Sequence, residues 1–483
     1  MALLLLAAAA AAHAVVATTA AAAVAADPPP SPCTKAKGLR LAQQFCNDYA
    51  VSCHDCGSQG PWYALDSGPG TPGRWRCYSV AALNTNRTAW KSGPDYCSAT
   101  GQILDILKTC KLPPLPPPYV APPGIPVFSP GMKIATTGQV IHTFRIPSLI
   151  RVGQTKTLLA FAEARKYSGS DFGPKALGMR RSTDLGVSWQ PLVTVGPGWT
   201  AAQGNFSFMN PNSIYEAETK TVLLQFTYIQ CDLDCKPPYA DCCSEKYLGH
   251  EAPSLFQIAS TDTGLSWSSP VSLDTELKVP GLAMGPGIGI QIPATGKLLA
   301  MGHGYALNDT FSGHDVVIAS DNHGQTWRTT HIFNCGANCA GLDEPQLALL
   351  PNGDVMANMR HDIRNCPGYY AGASCRAVAT STDQGETFGP VTHDGVLSSP
   401  ICQGAIIAGK TSTWFSNPAS KTARANFTVR KSTDNTKSWK SKLVSPSAGC
   451  GYSSLAFLEE EETVGFMWEA DNSCTIRFLP VTL

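Results

Sequence analysis

Nine polar residues between positions 145 and 469 are of the types needed to bind an anion and break a bond beside it. They stand in short motifs. Arg145 lies in Phe144-Arg145-Ile146-Pro147, and Glu163, Arg165 and Asp171 fall within one stretch from Leu158 to Asp171. Glu344 is in Asp343-Glu344-Pro345-Gln346, Arg360 closes Val355–Arg360, and Arg424 precedes Ala425-Asn426-Phe427. Tyr452 follows Gly451, and Glu469 follows Phe466-Met467-Trp468. The planar arginine fork suits bidentate capture of a carboxylate in a way that lysine does not. Tyrosine is a neutral nucleophile whose ordinary pKa of about 10 calls for a neighbouring base. An aspartic acid can protonate a leaving oxygen. Together these types fit a substrate that carries a carboxylate on its reacting carbon, because a carboxylate nucleophile would be repelled by it. Taken singly, each residue is more often a surface charge or a packed rim side chain; the ordered set carries the reading.

The elements that must position them are strands. Short apolar runs such as Thr157–Ala162 and Thr221–Thr227 alternate with Gly, Asn and Asp turns, an all-β pattern. An eight-residue motif repeats along this region. Ser182-Thr183-Asp184-Leu185-Gly186-Val187-Ser188-Trp189 returns as Ser260–Trp267, Ser320–Trp327, Ser381–Phe388 and, degraded, Ser432–Trp439. The chemistry is that of a hairpin clip: the Asp side chain accepts backbone N–H groups across the turn, Gly supplies positive φ, and the aromatic packs between sheets. Asn322 replaces the Asp in the third copy and Thr436 the Gly in the fifth, so both are expected to be weaker clips. Consecutive copies are far enough apart for one four-stranded sheet each, and residues 131–483 hold about six such blades, one without a clip.

These repeats resemble the Asp boxes of sialidase-type propellers, and the polar motifs resemble the sialidase family in the same order, most closely its lysosomal member. The resemblance spans residues 140 to 483. It implies an all-β, six-bladed β-propeller and a retaining exo-α-sialidase. In that reading Arg145, Arg360 and Arg424 hold the substrate carboxylate, Asp171 is the general acid/base, and Glu163 and Arg165 contact the sugar ring. Tyr452 is the nucleophile, Glu344 activates it, and Glu469 braces Arg145. The implied partners are sialylated glycoproteins, glycolipids or oligosaccharides, with no cofactor and no metal. A trans-sialidase would use the same residues, and an inactive sialic-acid-binding lectin would commonly lack the tyrosine or the acid.

The rest of the sequence sets the context. Formal net charge is zero over 483 residues, which argues against nucleic acid as a partner. Residues 1–26 read as a signal peptide: an apolar Leu and Ala run, then small residues before Asp27. No stable membrane anchor is expected after its removal, and the compartment is expected to be the secretory pathway, outside the cell or in the lysosome. Eighteen cysteines and sequons at Asn86, Asn205, Asn308 and Asn426 suit an oxidising route. Residues 27–112 form a small Cys-rich domain of unknown role, expected to be disulfide-stapled, with helices expected near Lys37–Cys46 and Gln102–Lys108. Residues 113–130 form a Pro-rich linker, expected to be extended, and residues 131–483 are the catalytic propeller. Seven cysteines fall in the first region and eleven in the last, so either one bridge joins them or each keeps a free thiol. The cluster Cys231, Cys235, Cys242 and Cys243 is read as loop disulfides rather than a zinc site.

Overall fold

The computed structural model describes residues 123–196, 206–232, 239–240, 242–243, 254–277, 281–304, 314–334, 341–361, 375–459 and 461–483, together with two short strands nearer the N-terminus. Those strands, β1 (Trp62–Asp66) and β2 (Trp75–Ser79), pair antiparallel within a first compact unit, Met1–Val120. The expected signal peptide, the two expected helices and Cys235 of the expected loop-disulfide cluster lie outside the described residues. No helix among the described residues is long and apolar enough to cross a membrane.

The second unit, Ala121–Leu483, is all-β and propeller-like. β3 (Ile125–Phe128) comes first. Two meanders follow: β4 (Thr143–Arg151), β5 (Leu158–Arg165), β6 (Lys175–Ser182) and β7 (Val193–Val195), then β8 (Phe206–Glu216), β9 (Thr221–Gln230), β10 (Ser254–Ser260) and β11 (Val271–Ser272). A short helix, α1 (Asp274–Leu277), leads to β12 (Leu282–Met284), β13 (Gly287–Ile288), β14 (Ile290–Gln291), β15 (Leu298–Gly304), β16 (Asp315–Ser320) and β17 (Arg328–Ile332). Then come β18 (Leu342–Leu349), β19 (Val355–His361), β20 (Cys375–Ser381) and β21 (Thr392–Ser398). The last groups are β22 (Ala405–Ala408), β23 (Thr413–Pro418), β24 (Phe427–Ser432) and β25 (Lys440–Ser445), and finally β26 (Ser453–Glu459), β27 (Thr463–Glu469) and β28 (Ile476–Thr482).

Where six separate sheets were expected, the described residues of this unit form five. The largest, of nine strands, holds both meanders β4–β7 and β8–β11, fused where Lys175 pairs with Ser207. The expected linker also ends earlier than residue 130: Ile125–Phe128 is strand β3, which pairs with β28 and so joins the start of the unit to its end. Pro126 is tolerated there because β3 is an edge strand, where a missing N–H breaks no central ladder.

Inner strands are buried on both faces, so they read as continuous apolar runs; every residue of β5 is buried. The core is correspondingly a series of interfaces between successive sheets. Phe144, Leu158 and Ala160 pack against Phe128, Met467 and Phe478, linking the first meander to the last sheet. Ala405, Trp414 and Val429 pack in the same way against Leu455, Phe466 and Trp468.

The repeated clips form as their chemistry dictates. Asp184 Oδ1 accepts the Ser188 N–H at 2.9 Å, and its Oδ2 accepts the Ser188 hydroxyl at 2.5 Å. Asp262, Asp383 and Asp434 repeat this pair of bonds. Hydroxyl bonding of this kind holds Asp184, Asp262 and Asp434 down to about 2. Asn322 keeps the backbone bond but replaces the charged one with Nδ2 donating to Thr326 Oγ1 at 2.9 Å, a neutral and weaker contact. Thr436 adopts φ 66° where the other copies place glycine, a costly conformation for a β-branched residue. The aromatics reach neighbouring sheets: Trp189 packs edge-on against Phe478, and Trp267 against Phe161.

Candidate active site

One end of the strands opens into a cleft of about 300 Å³. Arg145, Glu163, Arg165, Asp171, Glu344, Arg360, Arg424 and Tyr452 all line it. Glu469, the ninth expected residue, is fully buried directly behind them. Residues from four different sheets or their loops thus meet at one place.

Three of the strands that feed the cleft are broken at a residue before proline. Ile146, Asn210 and Glu344 have φ of 58°, 52° and 41°, and each precedes a proline. Each also sits in a register shift, of β4, β8 and β18 respectively. Positive φ at a bulky residue is strained and persists where surrounding structure enforces it. Such bulges re-aim side chains that a regular pleat would send elsewhere. All three residues line the cleft.

Glu469 organises the floor. Its Oε1 accepts Arg145 Nε and the Ile146 N–H, both at 2.8 Å, and its Oε2 accepts the Tyr452 N–H at 3.0 Å. One carboxylate therefore fixes an arginine from β4 and the tyrosine ahead of β26. Burial opposes the charge of Arg145, but the adjacent Glu469 more than offsets it and raises its pKa.

Tyr452 is largely buried, with its ring between two guanidinium groups: Arg145 lies 5.1 Å and Arg424 5.4 Å from the ring centroid. Arg360 Nη1 donates to Glu344 Oε2 at 2.9 Å and reaches Tyr452 Oη at 3.5 Å, so it bridges the expected base and nucleophile. Burial pushes Glu344 up to about 7, with Asp343 adding repulsion and Arg360 opposing both. Arg424 Nη1 donates to the Cys450 carbonyl at 2.8 Å. Cys450 is bonded to Cys474, not free to attack. Cys402 is a free thiol packed with Ile146 and Tyr452, and burial pushes it to about 11, which leaves it inert.

On the opposite wall, Arg165 Nη2 donates to Asp171 Oδ1 at 2.5 Å, and Arg165 also pairs with Glu163 through Nε at 3.0 Å and Nη2 at 2.8 Å. Glu163 Oε1 accepts the Asn210 N–H at 3.2 Å. The Asp171 side chain is mostly exposed. Its partial burial acts to raise its pKa, but Arg165, Arg145 and Lys175 outweigh that and lower it. Sequence reasoning had not singled out Lys175, Phe172, Met209, Asn210, Asp343 or His303, which also line the cleft. The available signal was the Asn210-Pro211 pair, echoing Ile146-Pro147 and Glu344-Pro345. Among the described residues, the one grouping of potential metal ligands, Glu216, Glu218 and His323, lies outside the cleft.

Residues 156–464 match the BNR repeat-like domain, well over half of the chain. The protein is thus a propeller-like member of the BNR repeat-like class, with a cleft lined by arginines and carboxylates at one end of its strands. Its relatives narrow that class. A sialidase of Micromonospora viridifaciens is 30% identical over 369 residues, covering 72% of this chain and 53% of the relative. Sialidase-4 of Homo sapiens is 34% identical over 286 residues, covering 55% of this chain and 54% of the relative. The chain spans about half the length of both. Among solved structures, the Hadza microbial sialidase Hz136 shares the fold with a TM-score of 0.57 and 24% identity, covering 71% of this chain and 66% of that one. The chain belongs to the sialidase family.

Proposed function

We propose that this protein is a retaining exo-α-sialidase that releases terminal sialic acids from glycoproteins, glycolipids or oligosaccharides. The observation that carries the reading is the placement of the Tyr452 phenol among Arg145, Arg360 and Arg424, with Glu344 on the same Arg360 nitrogen. The substrate carboxylate binds the three guanidinium groups. Glu344, with its affinity for protons raised to about 7, takes the phenolic proton as Tyr452 Oη attacks the anomeric carbon. The bond to the aglycone oxygen breaks, and Asp171 supplies the proton that oxygen needs. Water then attacks the anomeric carbon of the tyrosyl-glycoside, giving its proton to Asp171, while the departing Tyr452 Oη takes back the proton held by Glu344. Two inversions give net retention.

The lowered pKa of Asp171 in the free protein is compatible with this role. Arg145 is among the cations that depress it, and an anionic substrate on Arg145 offsets that depression. Glu163 and Arg165 supply polar contacts to the sugar ring. The nine-stranded sheet counts as two blades, β4–β7 and β8–β11, which gives six blades in all. The cysteine content and the leader-like residues 1–26 support passage through the secretory pathway, to the exterior or the lysosome.

Hydrolysis of 3′-sialyllactose and of an aryl sialoside, followed by NMR, tests the reading. Release with the α-anomer appearing first, abolished in Tyr452→Phe with folding intact, is the expected result. Turnover that survives Tyr452→Phe, or a β-anomer first, overturns the mechanism; no release by folded wild type overturns the activity.

A further inference from the structure

Lys175 is 1% exposed, yet it lines the cleft. A fully buried lysine is rare unless its charge is paired. It stands at the first position of β6, opposite Arg165 at the last position of β5. The loop between these two residues carries Asp171. Its neck is closed by the Lys166 N–H donating to the Pro174 carbonyl at 3.0 Å. Inside the neck, each of the paired cations grips the loop. Arg165 holds the Gly169 carbonyl at 2.5 Å and the Asp171 carboxylate at 2.5 Å. Lys175 Nζ donates to the Asp171 main-chain carbonyl at 2.6 Å. One buried carboxylate balances both cations: Glu163 Oε2 lies 2.8 Å from Arg165 Nη2 and 3.7 Å from Lys175 Nζ.

The division of labour differs between the two. Arg165 touches the Asp171 side chain and is the cation a ring-contact role would also use. Lys175 touches only the backbone of Asp171, from beneath. Asp171 is mostly exposed on a nine-residue loop, so without a tether its carboxyl group would sample positions away from the leaving oxygen. A misplacement of 1 Å can cost about 10²-fold in rate.

We propose that Lys175 is a positioning residue for leaving-group protonation: it tethers the Asp171 main chain from inside the loop neck, while Glu163 keeps its charge tolerable in the core. The inference rests on the sialidase reading above. Burial pushes Lys175 down to about 8, with Glu163 working against that, so it is a cation at acidic and neutral pH. Arg145 and Arg165 are the other cations facing Asp171, and Glu163 the facing anion. Loss of Lys175 therefore leaves Asp171 less firmly placed while leaving Tyr452, Glu344 and Arg360, on the opposite wall, untouched.

The test uses the full chain and leaving groups of different basicity. 3′-Sialyllactose needs its departing oxygen protonated; 4-nitrophenyl sialoside leaves as a stabilised phenolate and does not. Lys175→Met removes charge and donor together, Lys175→Gln keeps a donor, and Lys175→Arg keeps both. The expected result is a kcat/KM loss for sialyllactose at least about tenfold larger than for the aryl sialoside in Lys175→Met, smaller in Lys175→Gln, and mostly restored in Lys175→Arg. Adding Lys175→Met to Asp171→Asn should cost nothing further on sialyllactose, because the residue acts through Asp171. Equal losses on both substrates, or a full additional loss in the Asp171→Asn background, overturn the proposal. If Lys175→Met does not fold, the same comparison is read from Lys175→Gln, which preserves the neck. A folded wild type that turns over neither substrate overturns the parent reading itself, an outcome distinct from an active wild type whose Lys175 variants show no leaving-group dependence.

Discussion

Replacing Glu469 by glutamine removes one charge and turns one acceptor into a donor, yet it should disturb two side chains of the proposed machinery together. The two carboxylate oxygens accept three bonds: Arg145 Nε and the Ile146 N–H on one, and the Tyr452 N–H on the other. A glutamine has a single acceptor oxygen, so whichever way the amide is turned its NH2 group confronts a buried donor. Arg145 also loses the buried counter-charge beside it. Removing one partner of such a pair costs about 3–5 kcal/mol. For a unit of this size that is a fall in melting temperature of roughly 4–7 °C. Because Arg145 and Tyr452 both move, kcat/KM should fall at least about 10²-fold. The assay is thermal unfolding by tryptophan fluorescence alongside aryl-sialoside kinetics. A variant that melts within about 1 °C of wild type would refute the claim that this carboxylate bears the load of the floor. One that melts low but turns over normally would refute the link from Glu469 to Tyr452.

Glu344 and the hairpin clips give contrasting expectations. Glu344 rises from 4.5 in the unfolded chain to about 7 in the fold. The native state thus holds its proton more tightly, and the stability this confers is complete below pH 4.5 and lost as pH rises through 7, by about 3 kcal/mol. Glu344→Gln should flatten that stretch of the stability–pH curve, abolish the kcat/KM limb near 7 and lower kcat. A Gln variant with unchanged pH dependence in urea titrations would show that another group titrates there. Gly186→Ala, at φ 89° with a Cβ placed 2.2 Å from the Phe478 ring, should cost about 2–4 kcal/mol with KM and kcat unchanged. Denaturation midpoints and kinetics on the same preparation check both halves.

The clips were legible because their chemistry is local: a Ser, an Asp and a Gly within five residues specify the turn, whatever surrounds it. The site residues were legible only as an ordered set, and the structure brings all nine together. What the sequence did not disclose depends on contacts between distant strands. Glu469 could be expected to meet Arg145, but its bond to the Tyr452 backbone depends on how the end of β27 meets the residue just ahead of β26. The burial of Lys175 is not legible because the strand it opens also carries Arg180, Arg181 and Ser182; its partner, Glu163, sits on the neighbouring strand. The fusion of two meanders into one sheet rests on one backbone pairing, Lys175 with Ser207, which side-chain patterns do not encode. Pairing of Cys231 with Cys243 and Cys450 with Cys474 likewise follows from loop geometry.

The charges of the cleft set two demands that only an anionic substrate meets together. Arg145 is tied to Glu469 and Arg360 to Glu344, while Arg424 makes no ion pair among the described residues and donates to a carbonyl. The guanidinium groups of Arg145 and Arg424 flank the Tyr452 ring, an arrangement that favours an incoming carboxylate. Across the cleft, Arg165, Arg145 and Lys175 together outweigh the partial burial of Asp171 and lower its pKa, so it holds less firmly the proton that the proposed reaction needs. With a neutral sugar in place, the depression of Asp171 would persist. A substrate that brings its own carboxylate to Arg145 offsets that arginine's share of the depression at Asp171 and favours the protonated acid. In the proposed mechanism the cleft thus discriminates for charge twice, once in binding and again in the protonation state that the chemistry requires.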